Sequence, residues 1–492
     1  MDETVGEALR RLRKAHGLSL RQLGRAVPVD FGLLSRIENN RQHPSDSVIR
    51  AVDAALNAGG QLVLAKANDD SRRVQEPAVP AQVWRVSSML TRTAGLGATP
   101  PRQGQSILAV DERARELYVR GHGLLHGNQR REIEAAKALL DRAVGRDPRL
   151  APAIADRGYA RWRQYFAGWT DAPQAALTGA LRDVEAALTV DPDSVAAHTT
   201  FIRTCWDMGW HRRALEVGRS IHLRHPDSLD AAIAYARALM NAGMAELALP
   251  LATSVLREDP THPAASKLTI WCRLLLGQHE LAVEIAKPYL DHHQGDANTR
   301  WAVALASANS PTGLEYALRV ATEAIRVDDA DITQWLLLGY LHRRHGVEKS
   351  AREVWAQGAS RAESASLGAN HRTTAWAANL YAALQDRTAT METVTYLIEN
   401  SGTNGYIRYR LFHALAELGD EPAAIAMLDA AASNGFMSVQ LMRQEEKLAP
   451  HGLRKSTAYR RVAQRLEDAV KEQRDEHVSP QRLPARRKEH TR

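Results

Sequence analysis

A repeat constrains this chain more than any other feature. Gly209, Gly243 and Gly277 stand 34 residues apart, and Ala214, Ala248 and Ala282 follow each glycine by five. Pro226 and Pro260 keep the same spacing, Pro192 lies one period earlier, and Pro148 a further 44 residues before that. The glycine–alanine pair returns at Gly346/Ala351 and Gly419/Ala424, at offsets of 69 and 73, about two periods each with small insertions. Glycine supplies the left-handed residue that stops a first helix. Alanine five residues on lets a second helix pack closely, and proline about twelve residues later ends it. Such a unit buries its apolar face only by stacking on copies of itself, so an α-solenoid is predicted. Alternation of the kind strands require does not recur at regular spacing, and the chain is predicted to be all-α.

At 492 residues the chain exceeds one domain. Apolar residues at 44% and charged residues at 25% fit a soluble globular protein, and only 5% aromatics implies aliphatic, alanine-based cores. Sixty-four Lys+Arg against 57 Asp+Glu leaves +7, which permits an anionic partner without requiring one. Two cysteines, Cys205 and Cys272, cannot build a disulfide framework; they read as small buried residues in a reducing cytoplasm. No apolar run approaches the roughly 18 residues of a membrane span. The opening MDETVGEALRRLRKAHG has no apolar core of a secretory signal, so a cytoplasmic protein without membrane contact is expected. Composition divides the chain into short amphipathic helices over 1–66, a Pro/Gly-rich linker over 67–110, a helical array over 111–469 and a disordered charged tail over 470–492. Within the linker, VWRVSSMLTR has the pattern of a short helix.

The periodic region resembles the tetratricopeptide repeat family. Tyr235, Ala236, Gly243, Ala248 and Pro260 fall on positions that family favours, as do Leu338, Gly339, Gly346 and Ala351. The resemblance implies nine or ten helix pairs, with the first helix of each on a concave face. Residues placed inward by that pattern are Tyr159, Trp162, Arg203, Trp206, Arg237, Met240, Lys267, Trp271, Tyr340 and Arg343. Arginines repeating beside tryptophans suit a carboxylate-bearing or extended peptide, or a protein segment, through forked hydrogen bonds and ring stacking. The competing reading is that the arginines are solvated and the tryptophans fill gaps between repeats.

The N-terminal stretch LSLRQLGRAVPVDFGLLSRIENNRQHPS carries the most specific functional signal. Ser19 is a good N-cap for a helix over Leu20–Val27; Pro28 and Asp30 break it, and Asp30 caps a second helix from Phe31 to about Asn39. Leu20, Leu23, Gly24, Val27, Val29, Leu34 and Ile37 line the inside of that pair. Val5, Leu9 and Leu12 before it, and Val48, Ile49, Val52 and Leu56 after it, close a small core. Gly24, Leu34, Ile37 and the run Ser35-Arg36-Ile37-Glu38-Asn39-Asn40-Arg41…Pro44-Ser45 resemble the phage-repressor-like, xenobiotic-response-element helix-turn-helix family, with Pro28 where that family often has glycine. The resemblance implies double-stranded DNA as partner, the second helix of the motif lying in the major groove. By position, Phe31, Gly32, Ser35 and Arg36 would face bases: Arg36 a guanine edge, Phe31 a thymine methyl. Arg21, Gln22, Asn39, Asn40 and Arg41 would face phosphates. Glu38 is expected to make an internal pair. Two copies on neighbouring half-sites, hence a homodimer, are the usual arrangement. The bland alternative makes Arg36 and Arg41 solvated charges on a helical hairpin.

Catalytic patterns are missing from the sequence. It has no phosphate loop GxxxxGK[ST], no HExxH, no paired CxxC and no nucleophile elbow, so neither an enzyme nor a cofactor is expected. His292, His293 and Asp296 could hold a metal, but their place at a turn between repeats favours a solvent-facing loop. The sequence thus predicts a DNA-binding transcriptional regulator whose array senses a peptide or protein and takes part in dimerisation. That organisation is similar to peptide-sensing quorum regulators of Gram-positive bacteria, and the Ala- and Arg-rich composition to high-GC actinobacterial proteins. The alternative is an interaction scaffold without specific DNA binding, and Arg36 separates the two.

Overall fold

The computed structural model of the chain describes residues 4–27, 29–39, 44, 46–58, 61–63, 65–66, 111–125, 127, 129–364, 370–401, 404–448 and 452–478. They fall into two compact units, 1–77 and 78–492. All regular elements among them are helical. The linker with its VWRVSSMLTR segment lies outside the described residues, as do residues 479–492 of the charged tail.

In the first unit, α1 (Val5–Ala15), α2 (Leu20–Ala26), α3 (Phe31–Glu38) and α4 (Asp46–Ala55) surround a core of Val5, Leu9, Leu12, Leu23, Val27, Leu34, Ile37, Ile49, Val52 and Leu56. Leu20, Val29 and Val48 pack at its edge. Capping boxes start α1 at Thr4/Glu7 and α2 at Ser19/Gln22. Each satisfies backbone donors that a helix start leaves open.

The described residues of the second unit form nine helix pairs. The first three are α5 (Glu112–Leu124) with α6 (Arg130–Arg146), α7 (Ala151–Phe166) with α8 (Pro173–Val190), and α9 (Val195–Asp207) with α10 (His211–Arg224). Next come α11 (Leu229–Asn241) with α12 (Ala245–Glu258), α13 (Pro263–Leu275) with α14 (His279–His292), and α15 (Ala297–Asn309) with α16 (Leu314–Val327). The last three are α17 (Ile332–Arg344) with α18 (Glu348–Ser364), α19 (His371–Ala383) with α20 (Arg387–Asn400), and α21 (Gly405–Glu417) with α22 (Glu421–Ser433). Two further helices, α23 (Val439–Leu448) and α24 (Thr457–Val478), follow. The sequence-predicted tail therefore begins too early: residues 470–478 continue α24, where Val470 packs on the array and the Tyr235 hydroxyl lies 3.0 Å from His477 Nδ1.

The repeat chemistry is as the period implies. Gly209, Gly243, Gly277, Gly346 and Gly419 all have φ between 74° and 82°, and the alanines five residues later are at most 4% exposed. Glycine is doubly required at 243, where a Cβ would stand 2.4 Å from the Met437 carbonyl oxygen. Cys205 and Cys272 are buried thiols that form no disulfide.

The array turns far enough to meet itself. Asn370 Nδ2 donates to the Tyr165 carbonyl at the end of α7 (2.7 Å), and Asn404 Nδ2 donates to the Asp207 carbonyl at the end of α9. Helix α23 then runs past the ends of α13, α15 and α17. On the way, Gln444 Nε2 donates to the Leu275 carbonyl (3.4 Å), Asn309 to the Gln444 carbonyl (3.2 Å) and Arg344 to the Lys447 carbonyl (3.3 Å). Glu445 anchors α23: it accepts from Tyr409 Oη at 2.6 Å and from Arg410, with His413 Nε2 at 3.3 Å. Burial alone would raise this carboxyl, but Arg410 and His413 outweigh it and bring its pKa down to about 2.

Removing one member of a buried ion pair costs roughly 3–5 kcal/mol because its partner is left charged and unpaired. Glu445→Ala should therefore lower the thermal midpoint of the array by several degrees, read by calorimetry of the full chain. The wild-type contribution is present above the carboxyl's ordinary value of 4.5 and is lost as pH falls from there toward about 2. A variant as stable as the wild type would contradict the anchoring role.

Candidate functional site

In the first unit the geometry is set by how α3 is held. Helix α2 stops at Ala26, and the buried Val27 turns to extended backbone. Asp30 caps α3 by accepting from the Leu33 N–H at 3.2 Å. A Cβ on Gly24 would lie 3.2 Å from the Val29 carbonyl oxygen and 3.4 Å from Phe31 Cβ, so the crossing of α2 and α3 leaves little room for a larger side chain there. Glu38, at the far end of α3, is 5% exposed and takes a two-pronged pair from Arg13: Nε to Oε1 at 2.6 Å and Nη2 to Oε2 at 2.9 Å. Arg13 also donates to the Leu18 carbonyl (2.6 Å), and Arg10 to the Glu38 carbonyl (3.1 Å). The expected internal pair of Glu38 is thus present. Its partners, two arginines three residues apart on α1, are the signal that sequence reasoning left unused. The Arg13 guanidinium is held above its ordinary pKa by its hydrogen bond to Glu38.

That clamp presents one side of α3 outward. Phe31 is 49% exposed at the first position, with the Arg21 guanidinium 5.6 Å from its ring centre. Ser35 follows four residues after Phe31 and Arg36 four after Gly32, the spacing that brings helix residues together in pairs. Arg36 is exposed, and its Nη1 lies 3.5 Å from where a Gly32 Cβ would be. Two residues of the predicted set carry internal bonds instead. The Gln22 side-chain oxygen Oε1 accepts from the Ser19 N–H (2.8 Å). Asn39 donates to the Ser35 carbonyl (2.8 Å) and accepts from Arg10 (2.7 Å). Asn40 and Arg41 lie outside the described residues, as does Pro28.

The predicted inner residues of the array do not make one continuous groove. Tyr340 and Arg343 are spent within the fold, on Glu417, and Arg343 also stacks over Trp355 at 4.3 Å. Trp271 stacks on Trp301 at 5.6 Å, and Lys267 pairs with Asp296 at 2.8 Å. Beside α23 lies a cavity of about 40 Å³, lined by Trp301, Tyr340, Trp376, Arg410 and Glu445, room for about one water molecule. At the other end, Tyr159, Trp162, Arg203 and Arg237 remain together. The Arg203 guanidinium lies over Tyr159 (5.1 Å) and Trp162 (4.9 Å), while Trp162 Nε1 donates to Asp207 at 2.6 Å. Trp206 is half-buried and stands edge-on to His211. Burial pushes Asp207 up to about 6 against the pull of Arg372, Trp162 and Arg203. The His292/His293/Asp296 set does not converge: His292 Nδ1 bonds the Pro288 carbonyl, and Asp296 faces Lys267, Tyr289 and Thr299. Among the described residues no group of three or more His, Cys, Asp or Glu could hold a metal, and no helix is long and apolar enough to cross a membrane.

Residues 4–65 match a family model described as a helix-turn-helix domain. Over 71 residues the chain is 35% identical to the transcriptional regulator ClgR of Mycobacterium tuberculosis, from two strains. That match covers 14% of this chain and 63% of the relative, so the chain spans less than two thirds of the curated relatives it matches. Among solved structures, MamA from Desulfovibrio magneticus RS-1 aligns at 20% identity and a TM-score of 0.31, over 35% of this chain and 97% of that one. A crystal structure of MamA aligns at 12% identity and 0.30, over 33% and 95%. The repeat architecture rests on the helix pairing above rather than on these low scores. The N-terminal unit is a helix-turn-helix domain of the kind seen in transcriptional regulators.

Glu38→Ala should leave Arg13 half-buried without its acid, at a cost of roughly 3–5 kcal/mol. That is comparable to the whole stability of many small domains, at about 5–15 kcal/mol. The N-terminal unit should lose its own melting transition, or show it at much lower temperature, while Arg36→Ala leaves it in place; amide hydrogen exchange over residues 5–38 reads both.

Proposed function

We propose that this chain is a sequence-specific DNA-binding transcriptional regulator acting as a dimer, whose repeat array binds a peptide or protein effector. The observation that carries the reading is the outward side of α3: Phe31 exposed at its start and Arg36 exposed one and a half turns on, on a helix tied down by Glu38. A recognition helix needs this combination of fixed placement and exposed base-reading groups. Phe31, Gly32, Ser35 and Arg36 take the base edges, with Arg36 donating two bonds to guanine and Phe31 contacting a thymine methyl. Arg21 and Gln22 take phosphates, Gln22 through the amide nitrogen that its cap leaves free, and Asn39, Asn40 and Arg41 flank them. Asn39 contributes chiefly by holding Arg10 in place.

Two copies of the domain on half-sites of one operator supply the affinity that one small domain lacks. The effector engages the inner face of the array at Tyr159, Trp162, Arg203, Trp206, Arg237 and Trp271. Tyr340 and Arg343 sit deeper and shape that face through Glu417. Binding acts by favouring one arrangement of the array over another, so its effect on DNA binding equals its difference in affinity for the two.

Genome-wide DNA capture with the full chain, at fixed near-physiological salt, tests the reading. Salt is fixed because phosphate contacts alone give salt-dependent, non-specific affinity. A short two-fold symmetric site is expected, and Arg36→Ala should weaken it by about 1–3 kcal/mol per half-site contact, relaxing one base position. Capture of the same featureless background by both proteins would leave the scaffold reading in its place.

A further inference from the structure

Four cationic side chains converge on the inner face of the second to fifth helix pairs: Arg163 on α7, Arg203 on α9, Arg237 on α11 and Lys267 on α13. Two of them are accounted for. Arg163 donates to the Leu125 and Gly127 carbonyls at 3.5 and 3.2 Å, and Lys267 has Asp296. Arg203 and Arg237 have no acid and no hydrogen-bond acceptor among the described residues, and the Nε of each is sealed from solvent without a partner. The nearest carboxylate, Asp207, is turned to Trp162 Nε1 (2.6 Å) and to Arg372 (3.6 Å). Aromatic faces, Tyr159 and Trp162, back the Arg203 guanidinium, and of the two only the ionised fraction of the Tyr159 phenol offsets its charge.

Unpaired guanidiniums in a partly enclosed space are costly, and proteins rarely hold two side by side without a counter-charge. Other arginines of the array have an acid, Arg410 with Glu445, Arg343 with Glu417 and Arg157 with Asp183, although a buried Nε without a partner recurs at Arg224, Arg273 and Arg410. Planar forked donors repeated on successive repeats match the oxygens of a carboxylate or phosphate. The inner face is also short, because α23 covers it from α13 to α17 and Arg372 and Asn404 cross it near Asp207.

We propose that Arg203 and Arg237 form the anion-binding subsite of the effector site, taking a small dianionic oxyanion group, a phosphate monoester or a pair of carboxylates. The inference rests on the reading that the inner face of the array holds the effector. It narrows that effector to a short ligand led by its negative group.

Tyr159 supplies an internal reporter. Burial alone would raise its phenol, but Arg203, Arg163 and Lys267 outweigh it and bring the pKa down to about 7. A fraction of Tyr159 is therefore tyrosinate near pH 7, absorbing in the near ultraviolet. An anion on Arg203 and Arg237 cancels the field that holds the proton off and restores the neutral phenol.

The test uses the full-length protein with inorganic phosphate and, separately, succinate, against chloride at matched ionic strength. Tyrosinate absorbance at pH 8 should fall saturably and the thermal midpoint should rise, with one of the two probes acting at lower concentration and so naming the group; Tyr159→Phe should lack the absorbance. Arg203→Met and Arg237→Met should each raise the midpoint of the unliganded protein, since a buried uncompensated charge is removed, and abolish the response to both anions. Absorbance that does not move with either anion overturns the proposal even if neither methionine variant folds. So does a response retained in both variants, or a midpoint lowered by them. Operator capture by the wild type is measured separately, so its failure sinks the regulator reading and leaves this result to stand or fall on its own.

Discussion

The last turn of every helix leaves carbonyl oxygens with no partner inside the helix, and in this array distant side-chain amides meet three of them. Asn370 reaches the end of α7, Asn404 the end of α9 and Gln444 the end of α13, across 205, 197 and 169 residues of chain. A solenoid normally contacts only neighbours along its axis. Here later repeats also cap earlier ones, which makes the curvature of the whole array a bonded property. The glycine turns allow it, because a side chain at Gly243 would strike the Met437 carbonyl and push the C-terminal segment away.

Closure changes the electrostatics of the interior. An open concave face lets charged side chains reach water; a face covered by α23 and crossed by Arg372 does not. Each buried charge there needs a partner or raises the energy of the fold. Glu445 meets the requirement with Tyr409, Arg410 and His413. Arg203 and Arg237 do not meet it from within the described chain. The contrast between these two sites is between charges that the fold itself neutralises and charges that it does not.

Much of this was legible in the sequence where local chemistry decides. Gly209, Gly243 and Gly277 announced their turns because only glycine is at ease at those φ values, and Ser19 and Asp30 announced theirs by the bonds they make as caps. The pattern faded where another residue performed the same task. Gln385 takes the left-handed turn position with φ of 63°, and Thr390 five residues later is fully buried in the alanine's place. In the α15–α16 pair the turn runs through Ser310 and Gly313 with no left-handed glycine, so the period was lost there as well. Tyr159, Trp162, Arg203 and Arg237, read from the repeat register, do stand together in the fold. Tyr340 and Arg343 could not be told apart from them, because their partner Glu417 lies 74 to 77 residues away and only the closed curvature brings it in.

Curvature and charge then act on one another. Arg203 sits on α9, whose end Asn404 holds, and α9 packs on both α7, whose end Asn370 holds, and α11, which carries Arg237, so repulsion between unpaired cations works directly against the closed turn. A bound anion would remove that repulsion and stabilise the closed array by as much as closure improves its own affinity, since the two effects are one coupling free energy seen from either side. An array built only for rigidity would have carried methionine at 203 and 237, as a buried ion pair can often be replaced by apolar side chains at no loss. With arginine there, occupation of the proposed anion subsite would be coupled to the curvature of the array.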